Sequence, residues 1–533
     1  MTLWKVTAPR NFSGVSRADF FRFLALGGLL AAFTLGVNRP VLDHGWVYFD
    51  DDINIILNPH LTAGGWDTAK WAWTDLNYTR RFMPLGWMLF DGLFRAGGLN
   101  PAIFHFAGWT LAAFNSVLLF AVLRQLVSRL VPTEPRVVVD GCAALPVALL
   151  AVHPLGAEAV GWTSGLLYVA ATTLALGACL AAPPGVASSP ARQGLATVLF
   201  CASLLVYPVY LPLPVILAIL ASAARPAQLG RWAAIRRYAP WLAASVLAVA
   251  INFHAAHASA GGFDPLVGTA AYPLVPRLTN VAQGLASFLV RLFWPGQTSL
   301  FHGPDGPPWP PAWFLILLAL GLTAAVARRP TRALAGASLL CAALGLLPFV
   351  RMLDPGQSPS DRYAVPMLLC AAGTLACSLA VLAGGRHRLF FGGGLVVLTV
   401  LCLQPYREAL AVWRDTESVQ ARLDLVTADR PNPRLSFARP ATVSFLRGRY
   451  EESRQRLAEG QRRFGPLPEL REAERFIADL RTQLGAEPGR DPAAVPYAVM
   501  HRDLARNLAA GGHAYAAREH LRFAERLEPA RGP

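Results

Sequence analysis

Residues 163–182 read Thr-Ser-Gly-Leu-Leu-Tyr-Val-Ala-Ala-Thr-Thr-Leu-Ala-Leu-Gly-Ala-Cys-Leu-Ala-Ala, twenty positions without a charge. That is the length at which an α-helix crosses the roughly 30 Å hydrocarbon core of a bilayer. Similar apolar segments lie at 22–38, 105–123, 138–152, 195–207, 209–224, 239–255, 312–327, 333–350, 363–383 and 389–404. The sequence thus predicts an all-α, polytopic membrane protein of about eleven transmembrane helices. Composition agrees: of 533 residues 54% are hydrophobic and 15% charged, against roughly 25% charged in soluble domains. An ordinary cytosolic enzyme is excluded.

The net charge of +15 does not imply a nucleic-acid partner, because the basic residues punctuate the apolar runs and form no stripe of their own. They orient helices instead. With the N-terminus inside, seventeen of the 26 basic residues before position 405 face inward, among them Arg22, Arg124, Arg136 and Arg388. Counting 281–295 as a further span would turn Arg328, Arg329 and Arg332 outward, so that segment is read as re-entrant or surface-lying. Of the fifteen acids before 405 only Asp19, Glu134 and Asp140 fall inside, and carboxylate chemistry is therefore expected on the exterior side. An odd number of spans places the C-terminal tail there too. The stretch from Phe20 to Val37 is read as an uncleaved first span, ended by Asn38-Arg39-Pro40.

All seven cysteines sit in apolar runs without a CxxC pair, which argues against disulfides and against a cysteine metal site. No metal and no cofactor is expected. The excess of Arg over Lys, with abundant Ala, Gly and Pro, resembles the usage of a GC-rich bacterium. That makes the bacterial inner membrane the expected location.

Two domains are expected, 1–405 in the membrane and 406–533 as a periplasmic or extracellular helical tail. The first exterior loop, 39–104, is too long for a simple connector. Within it Trp66 to Asp75 reads as a surface helix holding Trp66, Trp71 and Trp73 at headgroup level. In the tail, Ala441 to Gly465 and Met500 to Pro529 share a small residue, a turn glycine and an aromatic-apolar stripe, the logic of tetratricopeptide helix–turn–helix units. Two such units are fewer than the three or so that bury their own core, so the tail is expected to rest on the membrane domain or on a protein partner.

Chemistry concentrates on the exterior side. Trp46-Val-Tyr-Phe-Asp-Asp-Asp-Ile-Asn-Ile-Ile-Leu-Asn58 sets three carboxylates just past the first span. Crowded acids raise one another's pKa, which suits a general base; a solvated acidic turn or a cation site is the plainer reading. Arg80, Arg81, His105, His153, Glu158 and Arg362 reach the same face, and guanidinium groups clamp phosphate well. For each His or Arg singly, snorkelling or capping explains it as well as ligand contact does.

The ordered motifs Phe49-Asp-Asp with Ile55 and Asn58, Pro84-Leu, Gly98-Leu-Asn-Pro101 with His105, Ala151-Val-His-Pro-Leu with Glu158 and Trp162, Phe293-Trp-Pro295, and Asp361-Arg-Tyr363 resemble the transmembrane and tetratricopeptide-repeat-containing O-mannosyltransferases and their bacterial relatives. These belong to the GT-C superfamily of membrane glycosyltransferases. The resemblance implies inverting transfer from a polyprenyl-phosphate sugar donor, outside the cytoplasm and without a required metal. The acceptor hydroxyl would lie on a protein, lipid or glycan. Asp50 or Asp51 would be the base. Arg362 and His153, with Arg80 or Arg81 behind them, would receive the phosphate, and Glu158 would orient the histidine or the acceptor. The chain departs from the family pattern at Met83, at Ala112 and at Gly165 to Tyr168. Two readings from other classes are a transporter or flippase of lipid-linked sugar and a non-catalytic membrane scaffold presenting its tail.

Overall fold

The computed structural model describes residues 16–183, 188–223, 236–258, 287–288, 290–292, 360–381, 385–428, 431, 433–485 and 495–528. Every regular element among them is helical. Helix α1 (Arg17–Asn38) leads into the first loop, which carries α2 (Trp66–Thr74) and α3 (Pro84–Gly97). Then come α4 (Pro101–Leu130), α5 (Arg136–Ala151), α6 (Ala157–Gly161), α7 (Leu166–Ala181), α8 (Pro190–Val206), α9 (Leu213–Ala223) and α10 (Ala239–Ala258). Further along are α11 (Val365–Val381), α12 (Gly385–Val412), α13 (Thr416–Val426), α14 (Arg439–Leu446), α15 (Tyr450–Phe464), α16 (Pro468–Gly485), α17 (Pro496–Ala510) and α18 (Ala514–Leu527).

Five helical stretches among the described residues are long and apolar enough to cross a membrane: Arg17–Asp43, Pro101–Leu130, Thr163–Ala181, Asp361–Val381 and Arg388–Val412. A sixth appears if α5 and 154–161, bent by 64°, form one broken span. The chain is an α-helical membrane protein. The expected spans at 195–207 and 239–255 fall on the shorter apolar helices Pro190–Val206 and Ala239–Ala255, and that at 209–224 contains the eleven-residue α9. Those at 312–327 and 333–350 lie outside the described residues, as does most of 281–295.

Burial sorts the helices. The most apolar window of α7 is 72% buried, against 17% for α1 and 11% for Arg388–Val412, so α7 is the hub while α1 and α12 turn Phe21, Leu29, Leu389 and Phe390 outward. Polar stitches hold helices that lipid cannot drive together. Thr34 and Ser116 join α1 to α4 at 2.8 Å, and the Asn115 amide donates to the Val169 carbonyl at 2.9 Å. At the Arg136 end of α5, Asp140 accepts from Arg22 at 2.7 Å and Arg124 at 2.5 Å, and Glu134 takes both Arg388 nitrogens at 2.8 Å.

The other end of α5 carries the site. Pro154 supplies no N–H and disfavours a helical residue before it, so α5 stops at Ala151 and the His153 side chain caps the next turn. The chain doubles back through α6 to a second turn at Gly165. A Cβ there would stand 2.7 Å from the Ala159 carbonyl oxygen and 3.0 Å from that of Glu158, so only glycine fits.

Helix α2 forms where expected but divides its tryptophans. Trp66 and Trp73 are exposed, whereas Trp71 stacks on His60 at 4.3 Å and meets Trp87 at 5.4 Å. The boundary expected at 405 falls within α12, which runs through Pro405 to Val412. The tail contains two helical hairpins, α14–α15 and α17–α18, and rests on the first loop. Tyr515 and His520 pack on Phe94, and Tyr497 packs on Tyr48 at 4.8 Å.

Candidate active site

The acidic triplet lies in a segment that enters the protein, makes one wide turn over Asp52–Ile56 and leaves toward α2. Asp51 is completely buried. One of its oxygens accepts from the Ser164 backbone N–H at 3.0 Å and hydroxyl at 2.6 Å; the other accepts from Val47 N–H at 3.0 Å. Asn54 donates to the same Ser164 hydroxyl at 3.1 Å, and Asn58 reaches back to the Asn54 carbonyl at 3.1 Å. Burial lifts the Asp51 carboxyl to about 7, against the pull of its three hydrogen bonds. Asp51 therefore has the pKa of a base but pins the loop to the α6–α7 turn, with no open oxygen.

Asp50 points the other way. Its side chain is 30% exposed, 4.0 Å from the Arg439 guanidinium. It also lies within electrostatic reach of Arg81 and Arg362. Arg81 lies within electrostatic reach of Tyr207, Asp50, Tyr363 and Tyr168 and is partly accessible. The backbone of Arg80 closes the turn Tyr78–Arg80; its side chain lies outside the described residues. Asp52 receives the Tyr497 hydroxyl at 3.4 Å on one oxygen, while the other has no hydrogen-bond partner among the described residues. Desolvation raises its pKa, and the nearby Arg439 opposes that rise.

Arg362 and Glu158 form a buried ion pair, and Glu158 also accepts the Arg362 backbone N–H at 3.2 Å. The guanidinium sits 4.8 Å over Trp162 and 5.0 Å over Tyr363. Glu158 thus orients the arginine, where the sequence reading had it orient a histidine or the acceptor. His153 is fixed at both nitrogens: Nδ1 accepts from Leu155 N–H at 3.3 Å, which leaves Nε2 to donate to the Leu292 carbonyl at 3.1 Å. His105 is buried 3.2 Å from the Thr163 hydroxyl and 3.4 Å from the Gly45 carbonyl oxygen, edge-on to His44. The structure brings Asp50, Arg81, Glu158 and Arg362 together and turns Asp51, His105 and His153 to holding the scaffold.

Three participants escaped the sequence reading. Arg291 pairs with Asp361 and is buried, and its Nε and Nη2 have no hydrogen-bond partner among the described residues. Arg439 and Tyr497 come from the tail, hundreds of residues from the acids they touch, and no local pattern marks them. Beside Arg439 a cleft of about 230 Å³ opens between the 47–49 segment, α13, α14 and α15, lined by Phe49, Val419, Asp424, Val443 and Arg456 among others. Among the described residues no group of three or more His, Cys, Asp or Glu side chains is placed to hold a metal ion.

No protein-family model matches the chain, and no curated protein or solved structure shows significant similarity to it.

Proposed function

We propose that the chain is a GT-C-type membrane glycosyltransferase that moves a sugar, with inversion, from a polyprenyl-phosphate donor to an acceptor hydroxyl on the non-cytoplasmic side. The observation that carries this reading is a partly accessible carboxylate, Asp50, within electrostatic reach of the guanidinium groups of Arg81 and Arg362. Asp50 takes the hydroxyl proton, the acceptor oxygen bonds to the anomeric carbon, and the bond to the donor phosphate breaks. The phosphate leaves with the bonding electrons toward Arg362 and Arg81. Glu158 holds Arg362 in place, and the Nε and Nη2 groups of Arg291, without hydrogen-bond partners among the described residues, offer further anion contacts.

The same reading assigns the finer topology. The chain crosses a bacterial inner membrane eleven times with its N-terminus inside. Its tetratricopeptide-like tail is periplasmic, where it meets the acceptor or a protein partner. The clustering of Arg22, Arg124, Asp140, Glu134 and Arg388 at the end of α5 remote from His153 supports this sidedness.

The test is incubation of purified full-length protein in lipid nanodiscs with a panel of polyprenyl-phosphate hexoses and candidate hydroxyl acceptors. Consumption of one donor with formation of a glycosylated product is expected. Movement of a donor across the bilayer of sealed proteoliposomes without product would favour a flippase.

A further inference from the structure

The segment carrying the acids is held from two sides. On one side the membrane helices grip it: Asp51 on Ser164, and His44 on the Gly161 carbonyl at 3.1 Å. On the other side, among the described residues, it is held by contacts from beyond residue 412. Gly45 N–H donates to the Arg414 carbonyl at 2.8 Å, Tyr48 N–H to the Thr416 hydroxyl at 3.0 Å, and that hydroxyl to the Trp46 carbonyl at 3.3 Å. Tyr497 packs on Tyr48 with its ring tilted by 31° and reaches Asp52.

Arg439 occupies the centre of this second grip. Its guanidinium carbon lies over the Phe49 ring, 3.7 Å from the centroid, and the group donates to the Phe49 carbonyl. It stands 4.0 Å from the Asp50 carboxylate. Only a planar, forked cation can stack on a ring, bond a carbonyl and face a carboxylate at once; an ammonium has no face to stack. Helix α14 begins at Arg439, directly after the wide turn Pro433–Ala438, so the position of this cation is set by the tail's own fold.

We infer that the C-terminal helices complete the active site, with Arg439 as the positioning residue that fixes Phe49 and holds the Asp50 carboxylate in place beside the cations of Arg81 and Arg362. The tail is then part of the chemistry as well as a docking module. Displacing it would switch the enzyme off by freeing residues 46–52. The catalytic consequence rests on the proposed glycosyl transfer, whereas the two-sided grip does not.

The experiment separates the two. Hydrogen–deuterium exchange is measured on full-length protein in nanodiscs for the wild type, Arg439→Met, Arg439→Lys and, as control, Arg454→Met, an exposed residue paired only with Glu451 among the described residues. Arg439→Met should speed amide exchange over 46–52 by tenfold or more while leaving 496–510 at the wild-type rate. Arg439→Lys should give an intermediate rise, and the control none. With a polyprenyl-phosphate hexose as donor, Arg439→Met should lower kcat by about 10- to 100-fold at unchanged donor KM, and Lys should recover part of it. Wild-type exchange over 46–52 in Arg439→Met overturns the inference, and so does full turnover in that variant. A wild type that transfers no sugar counts against the proposed function alone, and the exchange data then decide the grip.

Discussion

Ser164 donates both its backbone N–H and its hydroxyl to one carboxylate oxygen of Asp51, at 3.0 and 2.6 Å. That pairing bolts the first exterior loop to the turn between α6 and α7. It also divides the labour within the triplet. Asp51 holds the backbone, and its neighbour Asp50, displaced to the opposite side of the chain, is left facing the cations.

Asp51→Asn should therefore act on stability. An amide in that position presents an N–H₂ to donors that need an acceptor, and a buried unsatisfied group costs about 1–3 kcal/mol. The thermal midpoint of the detergent-solubilised protein should fall by several degrees, while Asp50→Asn should leave it within a degree or two.

Removing either partner of the Glu158–Arg362 pair leaves a buried charge alone, at a cost of about 3–5 kcal/mol. Arg362→Met should be severely destabilised. The double variant Glu158→Leu with Arg362→Met should regain much of the loss, because two apolar side chains strand no charge. A double-mutant cycle in thermal unfolding measures the coupling; additive losses would refute the pair.

Gly165→Ala forces a methyl against two carbonyl oxygens of the preceding turn, and backbone cannot yield as a side chain does. It should disturb Ser164 and Glu158 together and reproduce the instability of Asp51→Asn. A full loss of donor turnover should accompany it.

The tail hairpin should respond to acid. His501 and His520 face each other at 2.8 Å, both buried between α17 and α18. Burial pushes His520 down to about 4 and, with help from His520 and Arg526, His501 down to about 2. The folded hairpin thus holds both rings neutral, whereas the unfolded chain protonates them near pH 6.5. Stability is full above that pH and declines as pH falls toward 4, by about 1.4 kcal/mol per pH unit for each imidazole. Amide protection in α17 and α18, taken relative to the intrinsic exchange rate at each pH, should fall between pH 7 and pH 5, and His520→Phe should flatten that dependence.

Hydropathy was enough to read an α-helical membrane protein, because burying a backbone in lipid leaves the chain little choice but helix. The start of α4 lies at Pro101, four residues before the expected 105, whereas the break after α5 was legible in His153-Pro154 and the tail hairpins in the glycines at 448 and 512. The site was legible only as a set of residues. Asp50 and Asp51 are equivalent in composition, and only the register of the turn at 52–56 decides which one faces inward. His153 and His105 sit where ligands would sit, but a buried imidazole needs partners for its own nitrogens and finds them in the backbone. Arg439 is a tail residue among twenty-two arginines beyond position 405, and nothing short of three-dimensional packing singles it out.

The most direct test of the central claim is sugar transfer from the polyprenyl-phosphate hexose that the wild type consumes, measured on Asp50→Asn in nanodiscs. The account predicts a variant that folds with the wild-type thermal midpoint, still binds the donor and forms no detectable product. Product formation at the wild-type rate by a folded Asp50→Asn protein would contradict it.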